Sequence, residues 1–227
     1  MPKIRETIAL KMHESWSTVP RVTNFDDADV TDLETMRQAS KADYAKSGIK
    51  LTTMPFVIKA AAMALKSNPL LNASIDVPNG KIIYKHYVNV GIAVDTDRGL
   101  VVPSLRQANQ LSIPQIARAL GKIAEDARTG NFKLEDLRGS TFTISNLGAI
   151  GGTYSTPIVN TPEVAILLIG RSRKLPIVGD DDEIKVRLMM PLSLSYDHRL
   201  VDGGAAARFL VDVIRYLSAP SRLLMAP

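Results

Sequence analysis

The run IKVRLMMPLSLSY, Ile184 to Tyr196, constrains the fold of this chain more than any other stretch. Ile184, Val186, Leu188, Met190, Leu192, Leu194 and Tyr196 alternate with Lys185, Arg187, Met189, Pro191, Ser193 and Ser195. A side-chain period of two is that of a strand with one buried face. Pro191 has no N–H for a ladder, so the pattern predicts an edge or a bulge there. After Gly204 the period changes. Ala206, Leu210, Val213 and Leu217 form a helical stripe that Pro220 stops. SYDHRLVDGG, Ser195 to Gly204, therefore spans a strand-to-helix junction. His198 lies at the end of a sheet, where ligands often sit.

The rest of the chain predicts one mixed α/β domain. Ile4, Ile8 and Met12 make a helical stripe in KIRETIALKMHESW, and VPRVTNFDDADVT reads as extended. Asp29 or Thr31 is positioned to cap a helix through Tyr44, and Thr52 or Thr53 to cap the Ala-rich helix that follows, with Pro55 in its first turn. KIIYKHYVNVGIAVDT and GLVVPSL read as strands around the turn DTDRG. Ser112 and Pro114 open a helix whose face carries Ile116, Leu120, Ile123 and Ala127, and Gly130 closes it. STFTISN and VAILLIG are β-rich and read as buried. No repeat or low-complexity linker divides the 227 residues.

Composition narrows the chemistry. The chain has no cysteine, hence no disulfide and no thiolate nucleophile. His13, His86 and His198 are far apart and lack metal-ligand spacing, so no metal is expected. A net charge of +5 favours acidic partners such as phosphates, or is simply a basic surface. Aromatics are 5% and no Lys/Arg run is interleaved with them, so nucleic acid is not expected. The longest apolar runs are too short to span a bilayer and the first residues lack a signal core, so a cytoplasmic protein off the membrane is expected.

Two readings of the junction compete on local grounds. Asp202 could cap the helix, Gly203 and Gly204 could ease the tight start, and Asp197 and Arg199 could form a local ion pair. Alternatively His198 is a base at an active site. The full D-H-R-x-x-D-G between strand and helix resembles the catalytic domain of the dihydrolipoamide acyltransferases, the E2 cores of 2-oxo acid dehydrogenase complexes. FTISNLGAIGGTYSTPIVNTPEVAILLIG is similar to that family's second signature. LTTMPFVIKAA, VDTDRGLVVPSL and PSRLLMAP are similar to its other segments, in the family's order, so the likeness spans residues 1–227 as one core domain. The chloramphenicol acetyltransferases share the fold but usually carry HHxxxDG; Asp197 stands here in place of the first His.

The resemblance implies a two-layer mixed-sheet domain of the chloramphenicol acetyltransferase type. It implies acyl transfer between the thiol of lipoyllysine, supplied by a separate lipoyl domain, and coenzyme A. Both thiols belong to substrates, so no enzyme nucleophile is needed. A base is needed, because a free thiol with a pKa of about 8.5 is mostly protonated at neutral pH, and an imidazole near about 6.5 suits it. His198 is then the base, and the thiolate attacks the thioester without an acyl-enzyme. Ser145 matches the family's donor to the oxyanion; its other reading is a strand-end serine bonded to backbone. Asp202 matches the second catalytic position, as an orienting group, with Arg5 or Arg21 as its partner. For coenzyme A, Arg37 matches a phosphate-contacting arginine, and Thr52, Asp95, Asn146, Gly170 and Ser172 match channel positions. The family further implies homotrimers with His198 and Ser145 contributed by different subunits, assembled into a hollow core. It implies E1 and E3 partners reached through domains that precede this core. PSRLLMAP either folds back on its own domain or anchors a neighbouring trimer; the resemblance favours the neighbour. ISNLGAIGG points to acetyl or branched-chain transfer, SYDHRLVDG to succinyl, and the first lies nearer the proposed acyl site.

Overall fold

The computed structural model describes residues 3–96, 99–179 and 181–225. Asp97 and Arg98 of the expected turn, the last two residues and the side chain of Ile4 lie outside them. Helix α1 (Lys3–Thr18) leads into strand β1 (Arg21–Asp29), followed by helices α2 (Thr31–Lys46) and α3 (Met54–Ser67). A 3₁₀ turn (Pro69–Asn72) opens a ribbon of β2 (Ala73–Asp76) and β3 (Lys81–Tyr84). Strands β4 (Val90–Ala93) and β5 (Ser104–Leu105) precede helix α4 (Ile113–Thr129). Then come β6 (Phe142–Asn146), β7 (Ala165–Ile169), β8 (Arg173–Val178), β9 (Ile184–Asp197) and helices α5 (Gly203–Ser218) and α6 (Pro220–Leu224).

The main sheet has the order β1-β9-β7-β6-β4-β5, with β8 continuing the β7 side of β9. β4, β6 and β7 run parallel; the other pairings are antiparallel. This is a mixed sheet under a helical layer. Helix α3 lies innermost, with Pro55 to Leu65 buried without a break. A helix apolar all round belongs in the interior, and its alanines let α4 and α5 approach closely. Helix α4 is held as its sequence predicts. Ser112 and Gln115 form a capping box, and Gly130 ends the helix at φ 73°. No helix among the described residues is long and apolar enough to cross a membrane.

Several expectations need correction. The inner half of β9, Met189 to Asp197, is buried on both faces, while Ile184 at its outer end is 72% exposed. The chain after β6 folds over the second face, where Val159 packs with Val19 and Ile166. Pro191 is not at an edge, because β9 lies between β1 and β7. It does face a bulge. Ile169 opposes Leu192 and Arg173 opposes Met189, so Gly170 to Ser172 stand against only Met190 and Pro191. The Pro191 carbonyl accepts from Gly170 N at 2.9 Å, so its missing N–H also points to the bulge and not to β1. KIIYKHYVNVGIAV divides between two sheets. Asn72 Nδ2 donates to the carbonyls of Lys85 and Tyr87, both at 2.9 Å, and turns the chain between β3 and β4. Val30, not Asp29 or Thr31, is the N-cap position of α2; the Asp29 carboxylate still accepts from Thr31 N and Thr31 Oγ1. Thr53 precedes α3 without a capping bond from its side chain.

Candidate active site

His198 is the first residue past β9. Its backbone N donates to Pro20 O at 3.0 Å, and the preceding Asp197 N donates to Val164 O at 2.8 Å. Two neighbouring strands thus hold the end of β9 in register, while the imidazole itself is exposed and lies 5.9 Å from the Tyr196 ring. Asp197 is buried and paired with Arg199 through Nη2 at 2.7 Å and Nε at 3.0 Å. That contact raises the Arg199 pKa above its ordinary value. The local ion pair is therefore present, and it pins the chain on both sides of His198.

Asp202 is the N-cap of α5, with Oδ1 accepting from Ala205 N at 2.7 Å. Within one chain neither expected arginine reaches it. Among the described residues Asp202 forms no salt bridge. Arg21 donates instead to the carbonyls of Thr156 and Pro157 and stacks over Trp16 at 4.4 Å. Arg5 is exposed on α1.

Ser145 lies near the carboxyl end of β6, opposite Ala93 of β4 and Leu168 of β7. It is half-buried, and its hydroxyl has no hydrogen-bond partner among the described residues. The backbone-bonded reading of this serine is not what the fold adopts. Two glycines let the loops that follow β6 and β7 pack closely. A Cβ on Gly148 would meet Gly170 O at 2.6 Å, and one on Gly170 would collide with Thr153 O.

Within the chain Ser145 and His198 are at opposite ends of the sheet. Leu168, beside Ser145, pairs with Ser193 of β9. His198 is five residues further along, on the order of 16 Å at the usual rise of a strand. No side-chain rotation spans that distance.

The coenzyme-site candidates separate into one group and one outlier. Thr52, Asp95 and Asn146 line a cavity of about 660 Å³ with Ile92 and Arg118. Thr52 and Asn146 also line a smaller one of about 220 Å³ with Gly170 and Ser172. Five of the six candidates thus gather at the carboxyl ends of β4 and β6, in two cavities that Ser145 itself does not line. Arg37 is in neither lining. Its guanidinium pairs with both oxygens of Glu34 at 2.7 and 2.8 Å and donates to Leu51 O at 2.8 Å, with 11% of the side chain exposed. It braces the segment leading to Thr52.

Sequence reasoning passed over Glu163. Its carboxyl is buried at the approach to β7 and accepts from Ser140 Oγ at 2.5 Å, Thr143 Oγ1 at 2.6 Å and Asn160 Nδ2 at 3.0 Å. Burial pushes its pKa up to about 7, against the three hydrogen bonds. A carboxylate directly preceding the apolar run VAILLIG was the available signal. The tail divides: Leu223 is 3% exposed against its own domain, whereas Leu224 and Met225 are open to solvent.

Comparison with known proteins decides the family. Residues 1–225 match the family described as 2-oxoacid dehydrogenases acyltransferase (catalytic domain). The chain belongs to that family. It is 47% identical over 210 residues to the dihydrolipoyllysine-residue acetyltransferase component of the pyruvate dehydrogenase complex of Pseudomonas aeruginosa, covering 92% of this chain and 38% of that protein. The counterpart in Buchnera aphidicola is 43% identical over 225 residues, 98% of this chain and 57% of the relative. The chain therefore spans between about two fifths and three fifths of these relatives. Among solved structures, a crystallographic and enzymatic study of a serine, a histidine and an asparagine in the mechanism of Azotobacter vinelandii dihydrolipoamide acetyltransferase matches with TM-score 0.95 and 45% identity, covering 99% of this chain and 92% of that one. The cubic core of a pyruvate dehydrogenase multienzyme complex matches with TM-score 0.96 and 44% identity at the same coverage. Chloramphenicol acetyltransferase, at TM-score 0.56 and 16% identity over 91% of this chain, shares the fold.

Proposed function

We propose that this acyltransferase domain moves an acetyl group between the dihydrolipoyl thiol of a separate lipoyl domain and coenzyme A. His198 accepts the proton of the attacking thiol. The thiolate adds to the thioester carbonyl, the Ser145 hydroxyl donates to the oxyanion, and collapse expels the other sulfur, which takes the proton back from the imidazolium. Asp202 orients this end of the site through the start of α5. Thr52, Asp95, Asn146, Gly170 and Ser172 line the coenzyme channel, and Arg37 acts from behind Thr52.

One observation carries the reading. His198 and Ser145 each present an open polar group, yet the rigid sheet keeps them on the order of 16 Å apart. A site using both is completed between copies, so the working unit is an oligomer, read here as a trimer. Exposed Leu224 and Met225 then serve contacts that build trimers into a hollow core. The spacing in the Azotobacter protein supports the reading: its studied asparagine follows its histidine by four positions, the offset of Asp202 from His198. Acetyl is favoured over branched-chain and succinyl groups by the relatives' names. Lipoyl-domain, E1 and E3 contacts belong to the remaining length of the whole protein.

Thioester formation from acyl-coenzyme A and free dihydrolipoamide tests this, with acetyl, isobutyryl and succinyl donors in parallel. The expected outcome is thiol transfer with acetyl preferred. No transfer from assembled protein with any donor would make the chain a scaffold subunit. Transfer only to an alcohol or amine would make it a different coenzyme A acyltransferase.

A further inference from the structure

Burying a carboxyl without a cation is costly, so Glu163 needs a reason. Among the described residues it forms no salt bridge. Its three partners are Ser140 and Thr143, at and just before β6, and Asn160 of the loop that leads to β7. The charged groups at the adjoining strand end, Asp197 and Arg199, are paired with each other.

The connections run both ways. Thr143 precedes Ser145 by two residues on β6, so the two side chains share a face of the strand. In the other direction, Val164 follows Glu163 directly and its carbonyl accepts from Asp197 N at 2.8 Å. Asp197 is bonded to the residue that carries the imidazole. We propose that Glu163 is a positioning residue, a buried strut that ties the strand bearing Ser145 to the strand end bearing His198. Each subunit gives its serine to one site and its histidine to another, so one strut sets the geometry of two sites. This rests on the acyl-transfer reading above.

The test compares wild type, Glu163→Gln and Thr143→Val as assembled enzyme, by acetyl transfer to dihydrolipoamide between about pH 6 and 8.5. Thr143→Val removes one tie and leaves the fold; kcat falls roughly tenfold with KM within about twofold, as misplacement of reacting groups requires. Glu163→Gln keeps the ties, because its oxygen accepts from Ser140 and Asn160 while its amide donates to the Thr143 oxygen. It retains wild-type turnover near pH 6. It loses one ionisation near neutrality from the kcat profile, the one that Thr143→Val moves to higher pH by withdrawing a donor from the anion. A wild-type kcat in Thr143→Val, or a Glu163→Gln profile superimposable on wild type, overturns the proposal. If wild type itself transfers nothing, the acyl-transfer reading fails instead. The strut is then read by hydrogen exchange of the Asp197 N–H, which Val164 O accepts. That N–H exchanges faster in Thr143→Val than in wild type if the strut exists, and equal rates overturn it.

Discussion

At the scale of single residues, the candidate site separates open groups from the groups that fix the chain around them. His198 is open, while Asp197 before it and Arg199 after it are locked together. Replacing His198 with Ala should lower turnover roughly 10²–10⁴-fold, the loss of a general base. Ser145→Ala should cost roughly 10²–10³-fold as an oxyanion donor. Neither should change assembly size by light scattering; near-wild-type turnover in an assembled variant removes that residue from the mechanism. Glu163 gives a different signature, in stability. Its folded pKa is raised to about 7 by burial, above the ordinary carboxyl value of 4.5. The folded state therefore binds the proton more tightly than the unfolded one. Stability from this group is fully present below the unfolded pKa and is lost as pH rises through about 7, by about 3 kcal/mol in all. Between pH 4.5 and pH 7 wild type should lose stability relative to Glu163→Gln. Equal pH slopes for the two proteins in denaturant unfolding would show that this carboxyl is already ionised at low pH.

At the scale of elements, what was legible is what local chemistry writes. The Ser112 start and Gly130 end of α4, the Asp202 cap and the apolar stripe of α5 follow from adjacent residues, and all are present. Ser112→Ala should therefore lower stability by about 1 kcal/mol, seen as a fall in melting temperature; an unchanged melting temperature would mean that packing alone holds the start of α4. Distant partners decided the rest. The break between β3 and β4 is set by the side chain of Asn72, and the Asp29 carboxylate is held by Arg187 from β9. Arg187 lies 158 residues from Asp29, and the Asn72 contacts cross the whole β2–β3 ribbon, so no single motif contains both ends. The same limit applies to the site. His198, Asp202 and Ser145 could be singled out as candidates because they lie in motifs. Arg37 was read as a phosphate contact from its motif position, which says nothing of how Glu34 one turn away and the Leu51 carbonyl already hold its guanidinium. Glu163 went unread because its partners come from Ser140, Thr143 and Asn160, which nothing in the local pattern marks as neighbours.

At the scale of the whole molecule, the sheet itself argues for shared sites. β6 and β9 are separated only by β7, and all three are paired along their buried lengths. Their ends cannot approach one another without breaking the core. If His198 of one copy serves Ser145 of another, two inactive variants should repair each other. His198→Ala supplies an intact serine and Ser145→Ala an intact histidine. Unfolded together in equal amounts and reassembled, the two variants should mix at random in the proposed oligomer. A given site is then intact when its histidine comes from the serine variant and its serine from the histidine variant, which recovers about a quarter of wild-type turnover in a closed symmetric oligomer. Reassembling each variant alone gives the background. A site built within one chain recovers nothing above that background at any mixing ratio. Recovery that peaks at equal mixing therefore ties the sheet geometry to catalysis without any assumption about which acyl group is transferred.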